Sequence, residues 1–383
     1  MGVSGVTFAL AIALISWTQG AIRQGEIDKL NGSFERWWGT KLVWKFSELP
    51  TQGKVPDFRM PYSGCIYTDR AGGTVRSLRK YDQAFHHGRS VAAAHEQWDT
   101  TAFTEPTEER RGLFGLRTKM VDEVPRWYGH CNGWVSATIR HAEPQHSVTR
   151  NGVTFTPSDI KGLLAEIYMY RDTDVLGGLN EHAVNPGTFH LILANWLGRG
   201  GHPLGMDTDP GRVVWNYPVF QYSSSSTKRS EREVEVKLRL THAMFVPTEM
   251  DKAPRKEDNS PQRTRSYNFH YVLTLNGKGE ITGGYYLGDS KQVDILWVPL
   301  HPVNGRQPGN KRGSPYIDVK EVLAIWRASV PAELRNKWLN VDPTEEDRIP
   351  DAAEKMKAVV TGTKATPPAA KTTPPAANAA ANE

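Results

Sequence analysis

The sharpest periodicity of the chain falls between residues 126 and 200. In "TPSDIKGLLAEIYMYRD", Ile160, Leu163, Leu164 and Ile167 recur at i, i+3, i+4 and i+7. That is the stripe of a helix with one buried face, and Thr156 or Ser158 offers its N-cap. In "CNGWVSATIRHAE", Trp134, Val135, Thr138 and Ile139 predict a helix beginning near Cys131. "NPGTFHLILANWLG" predicts a third, with Pro186 near its start and Gly198 past its end. Farther on the period drops to two. "REVEVKLRLTHAMFV" alternates apolar and charged residues, as a half-exposed strand does. "SYNFHYVLTL", "NGKG" and "EITGGYYLGDS" read as a β-hairpin, and "DILWVPL" as one more strand. Before residue 118 the pattern is weaker. From residue 26 onward it mixes aromatic and polar positions without a long helical period, and "YDQAFHHGRSVAAAHEQWD" is its best helix, interrupted by Gly88. Helices in the middle and strands after them predict an α+β fold. There is no internal repeat and no Gly-rich phosphate loop.

The two ends depart from this pattern. Val6 to Trp17 is an apolar run too short to span a bilayer comfortably, with Gly20 and Ala21 near a cleavage point but no Lys or Arg ahead of it. It predicts a signal peptide over 1–25, with an N-terminal membrane anchor or an ordinary helix as alternatives. After cleavage no stable membrane insertion is expected, and the protein would be secreted, periplasmic or held in the cell envelope. Residues 346–383 are Ala/Pro/Thr-rich and predict a disordered tail. One folded domain over 26–345 remains, its helical part at about 80–200 and its sheet part at about 210–300.

Composition changes little. Apolar residues make up 38% and charged residues 23%, enough for a real core. The 47 Lys and Arg against 42 Asp and Glu leave +5, scattered without a basic stripe, so nucleic acid is not an expected partner.

The cysteines matter more. Of only two, Cys131 sits in "WYGHCNGWV", among Trp127, Tyr128, Gly129, His130, Gly133 and Trp134. It is either a small buried hydrophobe or a nucleophile. At the first turn of a helix, unpaired N–H groups and the dipole favour a thiolate. Cys65, in "YSGCIYT", reads as a buried spectator. A thiolate nucleophile needs a base and a group to orient that base. His190 has Asn195 nearby, and His202 precedes Asp207 and Asp209. His141, His146, His182 and His242 have no comparable carboxylate. His270, 139 residues after Cys131, lies on a predicted strand, and Asp289 follows 19 residues later at the end of the next. Papain-like folds use that order, so Cys131, His270 and Asp289 form the expected triad. A simple hairpin register pairs His270 with Tyr285, and a bulge at Gly283–Gly284 would bring Asp289 nearer.

"RWYGHCNGWVSATI", "NGVTFTPSDIKGLLAEIY", "NPGTFHLILANWLG", "VVWNYPVFQY" and "FHYVLTLNGKGEITGGYYLGDSKQVDILWVP" together resemble the transglutaminase elicitor family, secreted oomycete transglutaminases and their bacterial homologues. The resemblance runs from about Pro61 to Pro299 and includes "KYDQAF". It implies a papain-like cysteine transferase fold, the nucleophile at a helix N-terminus facing an antiparallel sheet. It implies protein-glutamine γ-glutamyltransferase activity, with a protein glutamine as donor and lysine or another primary amine as acceptor. The nucleophile position of the family falls on Cys131, and the base and orienter positions on His270 and Asp289. "VWNYPV" looks like the Trp- and Pro-containing elicitor motif, but "VFQY" replaces its more basic continuation.

On this reading the Cys131 N–H supports the oxyanion. Pro125 stands where the papain pattern has a glutamine, so Trp127 Nε1 or a backbone N–H of "WYGH" is the expected second donor. Trp127, Tyr128, Trp134 and Trp215 would exclude water. No particular cofactor is implied. Calcium has candidate carboxylates at 206–210 and 342–347, and no Cys/His spacing supports zinc. Two rivals stay open: a cysteine peptidase or glutamine deamidase on the same triad, and a non-catalytic surface recognition protein.

Overall fold

Helix α5, Pro157–Ile167, forms where the apolar stripe predicts it. The Thr156 side chain accepts from the Asp159 N–H while the Asp159 side chain accepts from the Thr156 N–H, so a capping box closes its first turn. The computed structural model describes residues 20–111, 117–169, 173–178, 183–208, 210–247, 261–302 and 313–337. Residues 1–19 of the leader expected over 1–25 and the tail expected over 346–383 lie outside the described residues, while residues 20–25 hold a short strand of the main sheet and the start of a helix.

The helices are α1 (Gln24–Trp38), α2 (Val75–Phe85), α3 (Ala92–Ala102), α4 (Cys131–Arg140), α5, α6 (Pro186–Ile192), α7 (Val319–Ser329) and α8 (Ala332–Lys337). α6 continues into a π-helical turn, Leu193–Arg199. The strands are β1 (Gly20–Ala21), β2 (Gln52–Lys54), β3 (Glu105–Arg111), β4 (Arg117–Glu123), β5 (Val148–Arg150), β6 (Val153–Phe155), β7 (Thr173–Gly177), β8 (Leu204–Asp207), β9 (Asn216–Ser230), β10 (Glu233–Ala243), β11 (Thr264–Leu275), β12 (Ile281–Tyr286) and β13 (Ile295–Pro299). The main sheet runs β1-β12-β11-β10-β9-β8-β13-β7, with β2 also on β9. All its pairs are antiparallel, and β3–β4 and β5–β6 form separate two-stranded ribbons. No helix among the described residues is long and apolar enough to cross a membrane.

Two expectations for the N-terminal third are corrected. α1 is a 15-residue helix where no long helical period was read. Its buried Leu30, Phe34, Trp37 and Trp38 are spaced at i, i+4, i+7 and i+8. Each large side chain contributes roughly 1.5–3 kcal/mol by leaving water. The stretch "YDQAFHHGRSVAAAHEQWD" is two helices. Gly88 turns at φ 75°, and Asp82, at the end of α2, accepts from the N–H groups of Val91, Ala92 and Ala93. A carboxylate in the last turn of the first helix thus caps the second.

The core has a sheet-side part, with α1, α6 and the inner faces of β9 to β12, and a helical part around α2, α5 and α7. Between them a smaller cluster of Tyr62, Trp134, Val135, Ile139, Tyr217 and Trp297 seats α4 against β8, β9 and β13. α4 also lies tight on α5. A Cβ on Gly133 would stand 2.1 Å from the Ala165 carbonyl oxygen. Gly133→Ala should therefore cost about 1–3 kcal/mol of overpacking despite its better helix propensity. Urea unfolding checks this, and an unchanged midpoint would mean the two helices part freely.

Candidate functional site

The backbone before α4 is strapped to residues 66–69. His130 N–H donates to the Ile66 carbonyl, Asp69 N–H to the Tyr128 carbonyl, and Thr68 bridges Gly129. A Cβ on Gly129 would meet the Ile66 oxygen at 2.8 Å, so the close approach requires glycine. His130 is the N-cap residue and Cys131 opens the helix, as its sequence position predicts.

Cys131 is 7% exposed and is a free thiol, as is half-buried Cys65. The Asn216 Nδ2 donates to Sγ at 3.6 Å, and Sγ faces the Val214 carbonyl at 4.0 Å. Asn216 is itself oriented: its Oδ1 accepts from Trp297 Nε1 at 2.9 Å. Burial pushes the Cys131 thiol up from its ordinary value. The Asn216 amide and side chain and the Asn132 amide oppose that rise, while nearby Asp207 adds to it. Asp207 Oδ1 accepts from the Trp215 N–H at 3.0 Å. The polar groups around the sulfur thus come from the start of α4, the end of β8 and the start of β9.

A strap over 210–215 roofs the sulfur. Arg212 pairs with Glu105 at 2.7 Å, and Glu105 also accepts from the Tyr128 hydroxyl at 2.8 Å. Trp215 stacks on Phe245 at 6.4 Å. An exposed ion pair of this kind stabilises by about 1 kcal/mol. Arg212→Ala should therefore raise the iodoacetamide alkylation rate of Cys131 about fivefold, roughly the factor that 1 kcal/mol represents. Mass spectrometry against Cys65 as internal control reads the rate, and no change would mean that the ion pair does not hold the strap down.

The expected aromatic ring separates into parts. Trp215 and Tyr128 belong to the strap and its latch, and Trp127 packs edge-on against Tyr128 at 4.5 Å. Trp134 is a core residue, its Nε1 donating to the Tyr62 carbonyl.

His270 and Asp289 lie together, but not at Cys131. Both line a cleft of about 640 Å³ with Lys237, Arg239, Asn268 and Ser290. The His270 N–H donates to Ser290 Oγ at 2.9 Å, and its Nε2 meets Glu235 Oε1 at 2.7 Å. His270 pairs with Lys237, which pairs with Ser225 on β9. Along β9, Ser225 is nine residues from Asn216, roughly 30 Å at the rise of a strand. The hairpin register differs too. Val272, not His270, faces Tyr285, and the irregularity falls at Thr274–Leu275 rather than at Gly283–Gly284.

The other histidines are mostly packed. His190 Nδ1 meets the Tyr271 hydroxyl at 2.8 Å, while Asn195 bonds the Val43 backbone. His202 sits against Trp37, Trp38 and Trp196. His242 packs, with its ring tilted, against Tyr217, the neighbour of Asn216, at 4.6 Å. His182, Asp209 and the carboxylates at 342–347 lie outside the described residues.

Sequence reasoning missed Asn216 as a partner of Cys131, since an asparagine in "VWNYPV" carries no local signal. It also missed a buried cluster of His130, Glu96 of α3 and Glu166 of α5. Burial and the neighbouring Glu166 push Glu96 up to about 7.

Residues 117–178 match the family model described as "Transglutaminase elicitor". No curated protein matches the chain. The fold is similar to the crystal structure of the GP42 transglutaminase from Phytophthora sojae, at TM-score 0.60 and 23% identity over 81% of this chain and 99% of that one. The matched segment holds Cys131, α4 and α5, so the part of the chain that resembles the transglutaminase elicitor family is the part that carries the cysteine helix, and the fold around it is similar to that of a solved transglutaminase.

Proposed function

We propose that this protein is a cysteine-dependent acyltransferase of transglutaminase type, joining a protein glutamine to a primary amine such as lysine, with Cys131 as the nucleophile. The observation that carries the reading is the family's own segment: its cysteine begins a helix and meets an oriented carboxamide, Asn216, and backbone amides. The sulfur attacks the glutamine side-chain carbonyl. The C–N bond breaks, ammonia leaves with the proton given up by the thiol, and a thioester remains. An amine then attacks the thioester and frees the sulfur, whereas water in its place gives deamidation. The Asn216 Nδ2 and the amides at Asn132 and Asn216 are donors for the oxyanion. Asp207 is the carboxylate whose field acts on the thiol. His270 and Asp289 have no part in this chemistry as they stand, because their cleft is far along the sheet. The helix-borne cysteine against an antiparallel sheet is papain-like in outline. Secretion or retention in the cell envelope is the location that the apolar run Val6 to Trp17 supports.

A second reading has its own support. Cys131 is roofed by Val214, burial raises its pKa, and no histidine among the described residues bonds its sulfur. A recognition protein that kept the fold without turnover would look the same. Incorporation of a labelled primary amine into a glutamine-rich protein, with ammonia release followed in parallel, separates the two. Cysteine-dependent labelling supports acyl transfer, ammonia alone points to a deamidase, and cleaved peptide bonds point to a peptidase. Inactivity in all three supports recognition.

A further inference from the structure

Beside the start of α4, the His130 ring meets two carboxylates in a place closed to water. His130, Glu96 and Glu166 side chains are 0%, 0% and 1% exposed. His130 Nε2 lies 2.9 Å from Glu166 Oε2 and 3.4 Å from Glu96 Oε1. The other ring nitrogen, Nδ1, faces the Tyr67 carbonyl at 3.4 Å. A proton on Nδ1 donates there, and the Nε2 lone pair then points at the two carboxylates, the tautomer a metal-ligating histidine takes.

The carboxylates are held for something. Thr74 Oγ1 donates to Glu166 Oε2 at 2.7 Å, and the Ser314 N–H to Glu166 Oε1 at 2.8 Å. The Thr74 N–H donates to Glu96 Oε1 at 3.0 Å. Gly73, at φ +56°, leaves space for Glu96, because a Cβ there would stand 1.9 Å from Oε1. Glu96 Oε2 is buried with no hydrogen-bond partner among the described residues. Two buried carboxylates that face one imidazole need positive charge between them, from a proton or a metal ion, because an unpaired buried ion costs several kcal/mol.

We infer that Glu96, His130 and Glu166 form a structural site for a divalent first-row metal ion, zinc by its donor set. The three donor atoms lie within 4.8 Å of one another. A tetrahedral ion with ligands at about 2.0–2.1 Å spaces its donors by roughly 3.3 Å, between the two distances His130 already shows. A nitrogen donor with only two carboxylates suits zinc rather than calcium or magnesium, which take more oxygens. The ion would tie α3 and α5 to the residue that caps the Cys131 helix. With no route from solvent to these side chains, it would be captured on folding.

The test uses the full untagged chain purified without chelator. Metal content is measured by mass spectrometry, followed by thermal unfolding after unfolding and refolding with chelator, with Zn²⁺ or with Co²⁺. About one equivalent of metal per chain is expected, and Co²⁺ should show visible bands of nitrogen–oxygen coordination. Refolding with chelator should lower the Tm by about 5 °C or more, since bound metal stabilises by linkage. Glu96→Gln and His130→Gln should each lose the equivalent. A wild-type chain without metal, whose Tm ignores both ions, overturns the site and leaves a proton in the cluster. Metal held equally by both variants overturns it as well. If neither variant folds, the wild-type metal content and cobalt spectrum decide.

Discussion

Cys131→Ala should reduce amine incorporation to background, a loss of at least about a thousandfold, because it removes the nucleophile that forms the thioester. The fold should survive, since the change removes one sulfur from a site that alanine fills without strain, and unfolding curves provide the control. Asn216→Ala should cost about a hundredfold in kcat, the usual size for one lost oxyanion donor. The KM should move little, because the donor acts on charge that develops in the transition state. His270→Ala should stay within about twofold of wild type, given its roughly 30 Å separation along β9. The three variants together make the assignment refutable. If His270→Ala is as dead as Cys131→Ala, the two must meet in an active conformation unlike the one described. If Cys131→Ala keeps its labelling, the nucleophile is elsewhere and the family segment has a structural role. An assay silent even for wild type, with Cys131 freely alkylated, favours the recognition protein.

What the sequence discloses about this fold follows the range of the forces involved. α5 is legible because its stripe and its capping box are both local, within the Pro157–Ile167 turn sequence and its flank. β10 is legible for the same reason, as its alternation at Glu233–Ala243 directly reflects one wet and one dry face. α1 was obscured by the polar residues between its anchors, whose value depends on packing against Trp196 and α6 far along the chain. The hairpin at β11–β12 was legible as a hairpin but not in register, since the irregularity at Thr274–Leu275 shifts every partner beyond it. The site divides in the same way. Cys131 at a helix start was readable from its own neighbours. Its partner was not, because Asn216 arrives through the β8–β9 pairing and is aimed by Trp297 from β13. His270 and Asp289 had a plausible order and spacing, yet order along a chain sets no distance across a sheet.

Acid should unfold the protein in a window set by its buried histidines. Burial lowers His190 and His242 from 6.5 to about 4, and takes His141 well below its ordinary value. Each is therefore neutral in the folded chain and protonates readily once unfolded. Below pH 6.5 the unfolded state binds protons that the folded state refuses, so stability is intact above that pH and is lost as the pH falls toward 4. At roughly 1.4 kcal/mol per unit, His190 and His242 each remove about 3 kcal/mol by pH 4, and the two together remove a large part of an ordinary domain's stability. Urea midpoints from pH 7.5 to 4 should fall steeply below 6.5, and a flat profile would mean these rings reach water. His242 isolates the cause. Its Nδ1 faces the Ala243 carbonyl, its Nε2 is buried without a hydrogen-bond partner among the described residues, and it packs between Tyr217 and Tyr267. His242→Phe keeps the ring and removes the proton site, so it should leave stability at pH 7 near wild type and take about 3 kcal/mol off the loss at pH 4. A variant as acid-sensitive as wild type would assign the slope to the carboxylates instead, whose protonation falls lower, nearer pH 4.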